Sequence, residues 1–141
     1  MADGKPKADA TTPAAGLGMH PAHFPDRAPI DAYGNGGFRF AEMSHRGSIL
    51  CVPSGIYAWE PTRPEDVDLA AFARVRAEAA RIDLLLVGMG RAPVPLPEPV
   101  AWALRDSGVR FDAMTTGAAV RTFNVLLSEE RAVAAALIAV E

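Results

Sequence analysis

The chain has 141 residues, 50% of them hydrophobic, which is enough for one compact core and too few for two ordinary domains. Its 14 Lys and Arg stand against 17 Asp and Glu, a net charge of −3 with the basic residues scattered, so nucleic acid is not an expected partner. The single cysteine, Cys51, excludes an internal disulfide and a thiolate metal cluster and points to a reducing compartment.

Residues 1–28 are rich in Ala, Pro, Gly and Asp and carry no hydrophobic period, so a flexible tail is expected there and a single domain over 29–141. His20 and His23 stand three apart without further ligands nearby, and no metal site is expected. The tail lacks the apolar core of a secretory signal, and Asp3, Asp9 and Asp26 argue against a transit peptide. No apolar run approaches the ~20 residues that span a bilayer. A cytoplasmic chain that does not cross a membrane is the expectation.

From Ile30 to Trp59, short apolar runs alternate with GNGG, SHRG and PSG, which is the punctuation of strands. Phe38 and Phe40 share one face of a strand, and His45-Arg46-Gly47 is predicted as a turn with His45 facing solvent. Ile49–Val52 is a short buried strand with Cys51 inside it, placed for packing and not for nucleophilic attack. Ile56–Trp59 completes an antiparallel N-terminal portion.

Leu69, Phe72, Val75 and Ala79 recur at helical spacing, with Arg74, Glu78 and Arg81 on the opposite, solvent side; Asp66 or Asp68 caps this helix. Ile82–Val87 has almost no polar relief and reads as a central strand covered on both faces. A second helix opens at Pro97 and Pro99 and ends at Gly108, before the strand that begins Val109-Arg110-Phe111. Thr115 or Thr116 caps a third helix, and RAVAAALIAV is the last strand. The order predicts an α/β domain of three layers: a mixed central sheet with helices on its faces.

Gly88-Met89-Gly90 ends the central strand, where open α/β sheets place ligands. Its continuation, Arg91-Ala92-Pro93, has neither a third glycine nor Gly-Lys-Ser/Thr, and the prolines from 93 to 97 block a helix start, so no nucleotide or other cofactor is expected. Thr115 and Thr116 open the third helix with free amides that suit an anion. On that helix Gly117, Arg121, Asn124 and Ser128 form a narrow polar stripe beside the apolar Val120, Phe123, Leu126 and Leu127. Arg121 is therefore predicted partly buried, held by loop carbonyls or by a ligand. The expected site is a small pocket lined by Gly88, Met89, Gly90, Thr115, Thr116, Arg121 and Asn124. No Ser-His-Asp order, carboxylate pair or metal cluster accompanies it.

In order and spacing, IDAYGNGGFRF, GSILCVPSGIYAW, LLLVGMG and MTTGAAVRTFNVLLSEERAVAAALI resemble the small domain of the complex I assembly factor 3 family and its bacterial, Mth938-like relatives. The resemblance covers about residues 29–141 and is most specific from Met114 to Ile138. It implies a three-layer α/β fold with a mixed sheet and brings no established catalytic activity. Carried over by position, the family's glycine turn falls on Gly88, Met89 and Gly90, and its Thr, Arg and Asn fall on Thr115, Arg121 and Asn124. Met89 stands where relatives usually carry threonine, and Glu130 where they often carry glycine.

Two classes of function follow. The first is a non-enzymatic interaction or assembly factor with protein partners, among them subunits of a membrane respiratory complex; this role is mitochondrial in the eukaryotic relatives. The second is an enzyme or sensor that binds a small anion in the pocket just named. With half its residues hydrophobic, the domain is also expected to self-associate as a homo-oligomer.

Overall fold

The structure, a computed structural model, describes residues 24–141. The greater part of the expected tail, with His20 and His23, lies outside the described residues. Its last five residues are packed on the domain. Phe24 bridges Ile56 through an Ile56 N to Phe24 O bond of 2.9 Å, Ala28 is buried, and Arg27 donates to the carbonyls of Arg131 and Val133 at 3.4 and 3.2 Å.

Eight strands form two sheets. β1 (Ile30–Gly34), β2 (Gly37–Phe40) and β3 (Met43–Arg46) make an antiparallel three-stranded sheet. The five-stranded sheet has the order β5-β4-β8-β6-β7, with β4 (Ile49–Val52), β5 (Gly55–Ala58), β6 (Leu84–Gly88), β7 (Phe111–Met114) and β8 (Val133–Leu137). β4 pairs antiparallel with β5 and β8, whereas β6 runs parallel to both β8 and β7, so the sheet is mixed as expected. β6 is interior and buried, but the middle position belongs to β8, whose five residues are all buried.

Strand alternation divides the core between the two faces of this sheet. Leu50, Val52, Leu85, Val87, Ala134 and Ala136 point to one side, where Trp59, Phe72, Val75 and Leu104 cover them. Ile49, Cys51, Leu86, Ala135 and Leu137 point to the other, under Phe123, Phe38, Phe40 and Ile30. One outer layer therefore holds α1 (Ala73–Ala77) and α2 (Glu98–Asp106), and the other holds α3 (Thr116–Ser128) beside the three-stranded sheet.

Three local expectations are corrected. His45-Arg46 is not a turn: both residues belong to β3, and β2 reaches β3 through Ala41 and Glu42, at φ 49° and 63°. Neither residue is a turn former, so the sequence hides this hairpin. The helix expected over 66–81 is a chain of short pieces, with 3-10 turns at Pro64–Asp66, Leu69–Phe72 and Ala79–Arg81 around α1. At the break the Ala71 carbonyl accepts the Trp59 indole N–H at 2.8 Å, competing with the helical bond it would otherwise receive, and Leu69 is left 40% exposed. Glu78 is also not on the solvent side: its carboxylate accepts the backbone N–H and the hydroxyl of Ser54, which ties the β4–β5 turn to this layer.

Candidate functional site

The carboxyl ends of β6 and β7 meet the start of α3. Met89 N donates to Met114 O at 2.8 Å, Thr116 N to Gly90 O at 2.9 Å, and Ile138 N to Gly88 O at 2.9 Å. Thr116 is fully buried, and its hydroxyl accepts the Gly90 amide at 3.0 Å while donating to Ile138 O at 2.7 Å. Gly88 allows this approach, because a β-carbon there would lie 2.8 Å from Thr116 Cα and 3.1 Å from Leu137 Cδ2. Gly90 turns the chain at φ 96°. Met89 is buried and packs in the core beneath α2.

This junction brings Gly88, Met89, Gly90, Thr115 and Thr116 together, yet its polar capacity is spent within the protein. Of the amides that open α3, Thr116 N goes to Gly90, Ala118 N to the Thr115 hydroxyl at 3.2 Å, and Ala119 N to Thr115 O at 2.9 Å. A helix start binds anions through amides left unpaired, and here only that of Gly117 has no bond among the described residues.

Asn124 and Arg121 lie elsewhere. The polar stripe of α3 is a seam against β1: Asn124 clamps the Ile30 backbone, and Gly117 lies beneath Tyr33, whose hydroxyl occupies the place a β-carbon would take. Arg121 is not buried. It is exposed, makes no hydrogen bond or ion pair among the described residues, and bends back until Nη1 lies 3.6 Å from the space above Gly117. The stripe faces a strand that the helical wheel could not supply, and its long arginine escapes past the edge of that strand into solvent.

A groove of about 390 Å³ lies on the three-stranded sheet, lined by Tyr33, Arg39, Ser44, His45 and Arg46 with the Gly34-Asn35 turn. Arg39 donates to Ser44 Oγ at 3.3 Å. No carboxylate lines the groove; that of Glu141 lies at its margin, 3.5 Å from the space above Gly36, where Arg46 Nη1 is 3.4 Å away. Two guanidinium groups, those of Arg39 and Arg46, and the Tyr33 ring thus line an open, electropositive hollow. No local pattern marks this groove, because His45 and Arg46 reach it only as part of β3 and not from the turn that Gly47 suggests.

Among the described residues no three His, Cys, Asp or Glu gather where they could hold a metal ion, and no helix is long and apolar enough to cross a membrane. Burial within β4 pushes the Cys51 thiol well above its ordinary pKa, keeping it protonated and unreactive.

The family model described as a protein of unknown function (DUF498/DUF598) matches residues 30–138, nearly the whole described domain. The chain belongs to the DUF498/DUF598 family. An uncharacterised protein of Rhodobacter capsulatus is 43% identical over 115 residues, covering 82% of this chain and 87% of that protein. NADH dehydrogenase [ubiquinone] 1 alpha subcomplex assembly factor 3 of Mus musculus is 29% identical over 117 residues, 83% of this chain and 63% of that protein. The Xenopus tropicalis protein of the same name is 31% identical, and the chain spans 60% of its length. Among solved structures, one described as an outer membrane protein from Bartonella henselae matches with a TM-score of 0.82 at 58% identity, covering 84% of this chain and 100% of that one. A Mth938-like domain from Bordetella pertussis matches with a TM-score of 0.68 at 26% identity, covering 94% and 92%. The expected likeness to Mth938-like domains and to complex I assembly factor 3, and the expected α/β fold, are thereby established.

Proposed function

We propose that this DUF498/DUF598 chain is a non-enzymatic assembly factor for proteins of a membrane respiratory complex of the complex I kind, acting from the cytoplasm. The groove over β1–β3 holds an acidic segment of the client. The observation that carries the proposal is the chemistry of that groove: Arg39 and Arg46 line it beside Tyr33, and no carboxylate is in its lining. The names of the assembly-factor relatives support the role. In this reading Gly88, Met89, Gly90, Thr115, Thr116 and Asn124 build the frame, and Arg121 is the sequence-predicted site residue that meets the partner. A small-anion enzyme or sensor at the Gly88 turn is the weaker reading, since the amides there already have acceptors.

The test is assembly itself. Cells depleted of the chain should lose assembled complex I on native gels, and the parent chain should restore it. An Arg39→Glu/Arg46→Glu chain, altered only at exposed positions, should fold and fail to restore it. Normal complex I in depleted cells would overturn the role, and full rescue by the charge-reversed chain would overturn the groove.

A further inference from the structure

The two edges of the five-stranded sheet are treated differently. On the β5 edge, Phe24 covers Ile56. β7 pairs only with β6, and its other edge is open among the described residues. Leu85 N donates to Arg110 O and Met89 N to Met114 O, both at 2.8 Å. A parallel ladder alternates, so residues 110, 112 and 114 turn their backbone groups to β6, while Phe111 and Ala113 turn theirs outward. An edge of this kind is a template for a further strand.

We propose that this edge pairs antiparallel with the same edge of a second copy, with Phe111 opposite Phe111 across a twofold axis, joining two five-stranded sheets into one. The register rests on charge. Arg110 and Asp112 are both exposed, have no ionic partner among the described residues, and lie on one face of β7 at the strand spacing of two. With Phe111 on the axis, Arg110 of each copy lies opposite Asp112 of the other, in the non-hydrogen-bonded positions where side chains come closest. Sliding by two residues either way places Arg110 opposite Arg110 or Asp112 opposite Asp112, and both are repulsive. The outward groups of Phe111 match this register, because residues on the axis exchange both backbone bonds.

The surroundings suit a partner. The Arg105 guanidinium lies over the Phe111 ring, 5.4 Å from its centroid, beside an open hollow lined by Arg105, Gly108, Val109, Arg110 and Phe111. Trp102, one turn earlier on the same side of α2 as Arg105, is 64% exposed and extends the apolar margin.

Sedimentation velocity of the full chain over a dilution series decides the matter. The parent should move from monomer towards dimer as concentration rises, with the Phe111 and Ala113 amides gaining hydrogen-exchange protection in step. Arg110→Asp and Asp112→Arg should each weaken the dimer about tenfold or more by setting like charges opposite, and the double exchange should restore it. At concentrations where all four proteins are monomeric they should melt alike, since both side chains are exposed. A parent that stays monomeric throughout, even one that captures an extended peptide at β7, would overturn the proposal. So would a dimer indifferent to both single reversals.

Discussion

The side-chain amide of Asn124 grips the backbone of Ile30 at both ends: Ile30 N donates to Asn124 Oδ1 at 2.8 Å, and Asn124 Nδ2 donates to Ile30 O at 2.9 Å. A carboxamide here stands in for a neighbouring strand and fastens the three-stranded sheet to α3. Replacing Asn124 with Ala leaves a donor and an acceptor unpaired beside the buried Ile30 side chain, at a cost of about 1–3 kcal/mol. Thermal melting should record the loss, and hydrogen exchange should quicken first at Ile30. Asn124→Asp should be at least as damaging, because it sets an oxygen against Ile30 O.

The junction at Thr116 is the second test. Thr116→Val keeps the shape but strands the Gly90 amide and the Ile138 carbonyl, and should cost about 2–4 kcal/mol, whereas Thr116→Ser should cost much less. Gly88→Ala should destabilise by about 1–3 kcal/mol, since the added methyl meets the Thr116 backbone and not a yielding side chain. Either variant should lower the denaturation midpoint. Unchanged stability in both would mean that the junction does not hold the end of the sheet together.

Two positions should gain stability from glycine. Glu130 follows α3 at φ 60°, with Glu130 N bonded to Leu127 O at 2.9 Å and Arg131 N to Leu126 O at 3.0 Å, a left-handed helix ending that glycine occupies without strain. Glu42, at φ 63° in the β2–β3 turn, is the other. Glu130→Gly and Glu42→Gly should each stabilise the fold by about 0.5–1 kcal/mol, relief of the strain outweighing the added freedom of the unfolded chain.

Cys51 makes a prediction about pH. Burial raises its folded pKa above the unfolded reference of 9.0, so below that value the thiol is protonated in both states and costs nothing. As pH rises beyond 9.0 the unfolded thiol ionises first, and stability declines. Cys51→Ser or Cys51→Ala should remove that part of the alkaline decline. A thiol reagent at neutral pH should label Cys51 only after denaturant is added; labelling of the native chain would contradict its burial.

Much of this molecule was legible from periodicity alone. The unbroken apolar runs at Ile49–Val52 and Leu84–Val87, the apolar face of α3 and the proline start of α2 are local consequences of burying side chains on one face or both, and they appear where the pattern places them. The Thr115 cap was readable for the same reason, since its hydroxyl bonds three residues along its own chain.

What the sequence could not decide was which distant segment meets each polar group. Arg121 and Asn124 share a helical stripe, but only the seat of β1 beside α3 gives Asn124 the Ile30 backbone and leaves Arg121 exposed. Thr116 looked like an open anion donor until β8 brought the Ile138 carbonyl to its hydroxyl, 22 residues away. The Ala41-Glu42 turn and the inward Glu78 were hidden likewise, because strand pairing and the Ser54 turn hold conformations that local propensity disfavours. Periodicity sets which face of an element is buried. Long-range hydrogen bonds, formed only when the layers close, set which polar side chains serve the frame and which remain for a partner.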